Sequence, residues 1–226
     1  MEKISLVIPA FNEEKNLAVL LPQIPNFIDE TIVVDSLSQD KTAEVSRFHG
    51  VKVIFAKRGK GIALRQGMEQ AIGEIIVTMD GDCSQSLQDL SRFIEAIRSG
   101  CDIVIGSRFL EGGGSEEITL FRRFGIILFK SMINFFWKTS FTDVNYGYRA
   151  FRKEILPFLE LTADGFDLDV ELVIHAAKKK IKILEIPCFE KKRAYGSAKL
   201  GAIKDGWLLF LRILRELFCS VEHNRV

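Results

Sequence analysis

No Cys-x-x-Cys pair occurs in this sequence, and its four cysteines, Cys83, Cys101, Cys188 and Cys219, follow no small-scaffold spacing. That pattern argues against a disulfide framework and reads as reduced thiols in a cytosolic protein. His49, His175 and His223 are scattered, which leaves no zinc-ligand spacing. No stretch reaches ~18 uninterrupted apolar residues, so no membrane-spanning helix is expected. The first apolar run starts at Ile4 and reads as a strand, so no signal peptide is expected either. A dominant charge sign is also missing. Lys and Arg number 31 against 30 Asp and Glu, a net charge of +1, so no global field selects nucleic acid. The chain lacks G-x-x-x-x-G-K-[ST], and its first strand is not followed by G-x-G-x-x-G. A Walker loop is thereby excluded and a dinucleotide cofactor disfavoured.

What is present is an alternation of apolar strands with helical spacings. Ile4 to Ile8, Thr31 to Val34, Val51 to Phe55, Ile75 to Thr78 and Asp102 to Ile105 read as strands. Between them lie Leu17, Leu20, Leu21 and Ile24, then a helix from Lys41 to Phe48, then one to Ile72. Leu90, Phe93, Ile94 and Ile97 give a fourth helix face, opened by an S-x-x-D capping pattern at Ser86. Alternation of this kind specifies an α/β fold with a doubly wound, mostly parallel sheet and helices on both faces. The 226 residues are most simply one domain, 1–226. Asn12 reads as the N-cap of the first helix and Asp40 as a cap of the second. Arg58-Gly59-Lys60-Gly61 opens the third helix, whose N-terminus would favour an anion.

The chemistry concentrates at Ile75-Ile76-Val77-Thr78-Met79-Asp80-Gly81-Asp82. An apolar run without alternation reads as a strand buried on both faces of a parallel sheet. Such strands deliver their C-terminal residues to the crevice where ligands bind. In extended chain, residues two apart point the same way, so Asp80 and Asp82 would converge, with Gly81 admitting a ligand close to the backbone. Two hard carboxylates suit Mg2+ or Mn2+, with positions left for a diphosphate. A pair of surface aspartates in a turn is the ordinary alternative.

Further on, Ile181 to Ile186 reads as a strand and Asp167 to Ala177 as a helix. Two apolar segments, 118–138 and 201–218, are candidate membrane-interface helices. The first is apolar nearly all round, and a core helix explains it equally well. In the second, Ile203, Trp207, Phe210, Leu211, Leu214, Leu217 and Phe218 share one face, widened by Leu208, Leu209 and Ile213. Arg212, Arg215 and Glu216 lie off that face. Burial in a homodimer or in the core would also account for it.

Taken in order, the motifs resemble glycosyltransferase family 2, specifically its dolichyl-phosphate mannose and glucose synthase group, from Ile4 to about Phe218. VIPAFNEE, at residues 7–14, is similar to the family's V-I-P-x-Y/F-N-E. VVDSLSQDKT resembles V-V-D-D-x-S-x-D-x-T, with Ser36 in place of the second aspartate. Lys60-Gly61, MDGDCS, Gly106-Ser107-Arg108-Phe109 and Asp143 with Gly147-Tyr148-Arg149 match further family elements. Arg193 to Leu200 resembles R-x-x-G-x-S-K-L, with the serine one place early. The resemblance implies a GT-A fold and an inverting transfer of one sugar, mannose or glucose, from a nucleotide sugar to a polyprenyl phosphate. It implies nucleotide-sugar contacts from Pro9, Phe11, Glu13, Asp35, Lys60, Gly81 and Arg108. Asp80, Asp82 and Ser84 would hold the metal. Arg122, Arg149, Arg193 and Lys199 would hold the acceptor phosphate, with Asp80, Asp82, Arg193 and Lys199 carrying the catalysis.

The chemistry of such a transfer agrees with these residue types. A leaving diphosphate gains charge, which a metal and fixed cations stabilise. A lipid phosphate, with its second pKa about 6, is largely ionised at neutral pH and needs no general base. Arginine's fork suits it. Two other readings stay open. A family member acting on a saccharide hydroxyl would need a carboxylate base, for which Asp167, Asp169 and Glu171 are candidates. A non-catalytic nucleotide-sugar-binding module would need no turnover. The longer members of the family append membrane-spanning segments. Here two apolar helices flanked by Lys and Arg point to a protein lying on the cytoplasmic face of a membrane.

Overall fold

The computed structural model describes residues 2–197 and 201–218. The chain starts with β1 (Ile4–Ala10), α1 (Glu14–Leu20), β2 (Glu30–Asp35), α2 (Thr42–Phe48) and β3 (Lys52–Phe55). Next come α3 (Lys60–Gln70), β4 (Ile75–Thr78), α4 (Leu90–Arg98) and β5 (Ile103–Ser107). A short β6 (Gly114–Ser115) precedes the long α5 (Leu120–Trp137). Then follow β7 (Arg149–Arg152), α6 (Leu156–Leu159), α7 (Leu168–Lys178), β8 (Ile183–Pro187), β9 (Phe189–Glu190) and α8 (Ala202–Phe218).

Seven strands form one sheet in the order β3-β2-β1-β4-β7-β5-β8, and β6 pairs with β9 beside it. Neighbouring residues on β1 and β4 serve opposite cores. Val7 and Ile76 join one core with Ala63, Leu64 and Met68 of α3 and the apolar residues of α7. Leu6, Ile8, Ile75 and Val77 join the other, with Leu17 and Leu20 of α1 and Phe93, Ile94 and Ile97 of α4. Both faces are therefore covered, which is why these strands carry no polar alternation. β1 pairs in parallel with both β2 and β4, so the chain order reverses beside β1. The C-terminal ends of β1 and β4 open onto that switch point.

The sequence does not announce β7. It runs antiparallel between β4 and β5, with Ala150 opposite both Val77 and Val104. Its R-A-F-R pattern hides a buried strand because Arg149 is buried with ion-pair and carbonyl partners, which a charge needs in such a place.

Two expectations about helix ends need refinement. Asn12 is not the N-cap of α1. It sits at φ 53°, and its Oδ1 accepts from Gln39 N–H instead. Asp40 serves both helices, since its Oδ2 accepts from Glu14 N–H of α1 and its Oδ1 from Thr42 N–H of α2.

The inward side of the last helix carries Arg212 and Glu216, which the sequence places off the apolar face, together with Leu209 and Ile213, which it places on that face. Arg212 bonds Asp167 Oδ2 at 2.9 Å and Glu171 Oε1 at 3.0 Å. Glu216 accepts from Lys178 Nζ at 2.8 Å, with His175 Nε2 at 3.0 Å. Glu171, His175 and Glu216 bring their ligand atoms within 4.8 Å of one another, but Arg212 and Lys178 already neutralise that cluster. The apolar stripe faces outward, with Trp207 60% and Phe218 83% exposed. α5 likewise buries only Ile126 and Ile133 and exposes Leu120, Phe121, Phe124, Ile127, Leu128, Phe135 and Phe136. Both helices also feed the core, α5 through Ile133, Phe129, Met132 and Trp137 and α8 through Leu209, Ile213 and Leu217, so among the described residues each divides its apolar side chains between core and outer face. Among the described residues no helix is long and apolar enough to cross a membrane.

This docking makes a prediction. Arg212→Ala leaves Asp167 and Glu171 as buried carboxylates without their cation, a change of the kind that costs about 3–5 kcal/mol. Thermal unfolding of the variant should shift down accordingly. An unchanged melting temperature would show that α8 does not depend on this cluster.

Candidate active site

A cavity of about 780 Å³ opens at the switch point. Its polar end is lined by Pro9, Phe11 and Glu13 after β1, by Lys60 at the start of α3, and by Asp80, Gly81, Asp82 and Ser84 after β4. Arg108 after β5 and Arg193 after β9 complete that end. Its other wall is apolar, with Ile118, Phe121, Phe124, Leu128 and Phe129 on or beside α5 and Leu209 on α8. Gly125 and Gly206 also line it, and a Cβ added at Gly206 would meet nothing within 4 Å among the described residues.

Each acid of the central pair has its own cation. Lys60 Nζ lies 2.6 Å from Asp80 Oδ1, and Arg193 Nη2 lies 2.8 Å from Asp82 Oδ2. Gln85 clamps Asp80 from behind: its Oε1 accepts from Asp80 N–H and its Nε2 donates to Asp80 Oδ2. Burial raises the Asp80 pKa, Lys60 pulls it back, Asp82 pushes it up again, and the net effect is upward. Burial acts on Asp82 too, but hydrogen bonds from Arg193 and Ser84 outweigh it and hold that carboxyl below its ordinary value. Burial works against the Lys60 ammonium, yet Asp80 and Asp169 hold its pKa above the usual lysine range. Cys83, between the pair and the loop, is no nucleophile. Burial, Asp82 and Glu13 push its thiol up to about 11.

The loop after β9 is drawn across the acids by its backbone. Lys191 N–H donates to Ser84 O, Ala194 N–H to Asp82 O and Tyr195 N–H to Asn16 Oδ1. Glu117 accepts from Arg193 N–H at 3.0 Å. A basic motif more than a hundred residues downstream thus meets the Asp80/Asp82 turn.

Arg108 is held between Asp143, 2.7 Å away, and Glu190, 3.2 Å away. Burial opposes its charge, but these two carboxylates hold its pKa well above the ordinary arginine value. The matching aspartate of the D-x-x-x-G-Y-R element is thus an anchor for Arg108.

Residues 5–158 match the family described as Glycosyl transferase family 2. The chain belongs to that family. A dolichol-phosphate mannosyltransferase of Pyrococcus furiosus is 34% identical over 211 residues, covering 88% of this chain and 59% of that protein. The chain therefore spans little more than half the length of that relative. A dolichyl-phosphate hexose transferase of Haloferax volcanii is 30% identical over 229 residues, covering 100% of this chain and 97% of that protein. A polyprenol monophosphomannose synthase of Mycolicibacterium smegmatis is 28% identical, covering 87% and 80%. Within the family the chain is dolichyl-phosphate sugar synthase-like. The fold is GT-A. Glucosyl-3-phosphoglycerate synthase from Mycobacterium tuberculosis, solved with Mn2+, UDP and phosphoglyceric acid, superposes with a TM-score of 0.77 at 19% identity, over 98% of this chain and 80% of that one.

Most family positions read from the sequence lie together on this cavity, Arg122 among them. Two do not. Asp35 is buried behind the following turn, where its Oδ1 accepts from Ser38 N–H, and Ser36 lines the cavity in its place. Arg149 is 1% exposed and gives its guanidinium to the carbonyls of Tyr146 and Val144. Its Nη1 lies 3.1 Å from Asp169 Oδ1, an ion pair without hydrogen-bond alignment. Arg149 is thus a support for Asp169, and its expected contact with an acceptor phosphate is corrected. Lys199 lies outside the described residues. The anion site expected at the start of α3 is also corrected, because Gly61 and Ile62 N–H already donate to Asp164 O. Gly81 has a packing reason as well: a Cβ there would come within 3.1 Å of Ile8 and 3.3 Å of Leu17.

Of the three carboxylates weighed as bases, only Asp169 lines the cavity. Asp167 is bonded to Arg212, and Glu171 accepts from Thr162, Ala163 and Arg212. The sequence reading missed Arg58, whose guanidinium stacks 4.2 Å over the Phe11 ring, and Gln85. Gln85 carries no signal in sequence because its role depends on the turn that returns it to Asp80.

Proposed function

We propose that this chain transfers a single hexose from a nucleotide sugar to the phosphate of a polyprenyl lipid, with inversion, at a membrane surface. The observation that carries the reading is one continuous cavity with two unlike ends. A carboxylate pair and fixed cations form one end, and the apolar walls of α5 and α8 form the other. A nucleotide diphosphate suits the first and an isoprenoid chain the second. The names of the Pyrococcus, Haloferax and Mycolicibacterium relatives support the same lipid class.

The donor set at Asp80, Asp82 and Ser84 is all hard oxygen, which fits Mg2+ or Mn2+. When bound, such an ion screens the charge that develops on the leaving diphosphate. Structures of the Mycobacterium synthase hold Mn2+ or Mg2+ with UDP, which supports the choice. The chain's own groups do the rest. Lys60 holds Asp80 in place, and Gln85 fixes its orientation. Arg193 reaches the acid pair from the loop that leads toward α8, so it can hold an incoming lipid phosphate beside the donor. It does so without taking the phosphate's nucleophilic electron pair, since a guanidinium stays protonated. No base is required of Asp169.

The transfer itself is tested with a panel of nucleotide sugars, polyprenyl phosphate and Mg2+ or Mn2+, followed by mass measurement of the lipid. A lipid heavier by one hexose is expected. Absence of any lipid product across the panel would overturn the reading.

The outward faces of α5 and α8 would rest on the membrane, with Arg123, Lys204 and Arg215 exposed beside them for anionic headgroups. Wild-type protein should sediment with anionic vesicles. Trp207→Ser combined with Phe210→Ser should weaken that binding about tenfold or more, given the apolar area withdrawn from lipid. If the protein ignores vesicles and the same substitutions instead dissociate a dimer, the membrane placement fails.

A further inference from the structure

Asn16 is a buried polar residue that the transfer chemistry leaves unused. It sits in the first turn of α1, is 2% exposed and lies behind the cavity's lining residues. Asparagine is a poor helix former, and a buried amide needs partners for both its ends. Its Oδ1 accepts from Tyr195 N–H at 3.0 Å, and its Nδ2 donates to Tyr195 O at 3.2 Å. Nδ2 also donates to Glu13 Oε2. One amide therefore satisfies both backbone groups of Tyr195, as a neighbouring strand would. The fit is one-way. An amide turned over would set its NH2 against the Tyr195 N–H and its oxygen against the Tyr195 carbonyl and the Glu13 carboxylate. An aspartate would repel the last two, and an apolar side chain would release all three.

What Asn16 grips is the loop that carries Arg193 two residues earlier. Every residue from 191 to 197 except Arg193 is exposed, and none belongs to either core. Hydrogen bonds rather than apolar burial hold this loop, and segments held that way open at low free-energy cost. The backbone N–H groups of Lys191 and Ala194 tie it to Ser84 and Asp82, and those of Lys192 and Arg193 tie it to Glu116 and Glu117. The tie between Tyr195 and Asn16 fixes it to α1. Glu13, the other partner of the amide, faces the same arginine, with its Oε1 3.7 Å from Arg193 Nη2. Asn16 O also accepts from Cys83 Sγ at 3.3 Å, next to Asp82. Asn16 thus joins the loop, the acid and the turn that together set the place of the guanidinium.

We propose that Asn16 is a positioning residue for the transfer: its amide locks Tyr195 and so holds the Arg193 guanidinium beside Asp82, where the lipid phosphate is received. This rests on the role given to Arg193 above and adds the residue that keeps its loop in place.

The test compares Asn16→Leu and Asn16→Asp with wild type, alone and combined with Arg193→Ala. Hydrogen exchange of residues 191–197 in the full chain, followed by mass spectrometry, should quicken by about tenfold in both variants, the range of one or two lost hydrogen bonds. β1 and β4 should keep their protection. The kcat for transfer to polyprenyl phosphate should fall about tenfold, while donor affinity by calorimetry changes less than about twofold. In the Arg193→Ala background the same substitutions should cost less than about twofold more, because they act through that arginine. Unaltered exchange of 191–197 would overturn the assignment and leave the role of Arg193 standing. A loss that persists in the Arg193→Ala background, or that appears equally in donor affinity, would also overturn it, since Asn16 would then act through Glu13 on the nucleotide. Loss of folding in both variants would make Asn16 an anchor of the fold and overturn it too. Normal transfer by Arg193→Ala, or no transfer by wild type, would overturn the Arg193 reading and this one together.

Discussion

Asp82→Asn should lower sugar transfer about 10²- to 10³-fold, the range seen when one preorganised charge-stabilising contact is removed. The substitution keeps the side chain's shape and removes its charge. Asp82 accepts from Ser84 N–H at 3.0 Å and from Arg193 at 2.8 Å, and an amide can keep the first of these through its oxygen. The fold should therefore survive. The loss should appear in kcat and in metal dependence. Asp80→Asn should behave alike, although Lys60 would then face a neutral partner 2.6 Å away. Initial rates across a Mn2+ titration, and in excess EDTA, check both. Full activity of Asp82→Ala in EDTA would sink the assignment of this pair to the metal and its diphosphate.

Arg193→Ala should be as damaging, for a different reason. Donor and acceptor are both anionic, and without the guanidinium their phosphates would approach in a partly desolvated cleft with one fixed cation fewer. Transfer to polyprenyl phosphate should fall about 10²- to 10³-fold. Donor binding should weaken far less, because Pro9, Phe11, Glu13 and Lys60 remain on the wall. Metal binding to the free protein should even strengthen, since Arg193 is the cation now facing Asp82. The hydroxyl-acceptor reading predicts the reverse pattern. There Arg193 costs little and Asp169, the one weighed carboxylate on the cavity wall, becomes indispensable. Asp169→Asn and Glu171→Gln, measured beside Arg193→Ala, separate the two. Glu171→Gln should disturb stability rather than chemistry, because its carboxylate is buried against Thr162, Ala163 and Arg212. Normal lipid transfer by Arg193→Ala would rule out the role given to this loop.

The parallel half of the sheet was readable in the chain because both faces of β1, β2 and β4 are covered, which leaves uninterrupted apolar runs. The Asp80/Asp82 turn was readable for the same reason, as polar residues at the end of such a run. β7 was not, because a strand that ends in arginines at both sides looks like a surface loop until their partners are known. For α8 the stripe was readable and its surroundings were not. Periodicity identifies an apolar stripe but not what covers it, and here Arg212 and Glu216 turn inward to meet charges of α7 and the segment before it.

The central claim is that the lipid's phosphate oxygen attacks the sugar, so the product is a phosphate diester. The most direct measurement is the 31P resonance of the purified lipid product followed from about pH 5 to about pH 8, where a phosphate monoester titrates with a pKa of about 6. A product one hexose heavier whose 31P shift stays constant across that range is the result this account predicts. A product whose phosphorus still titrates, with the sugar attached elsewhere, would contradict it.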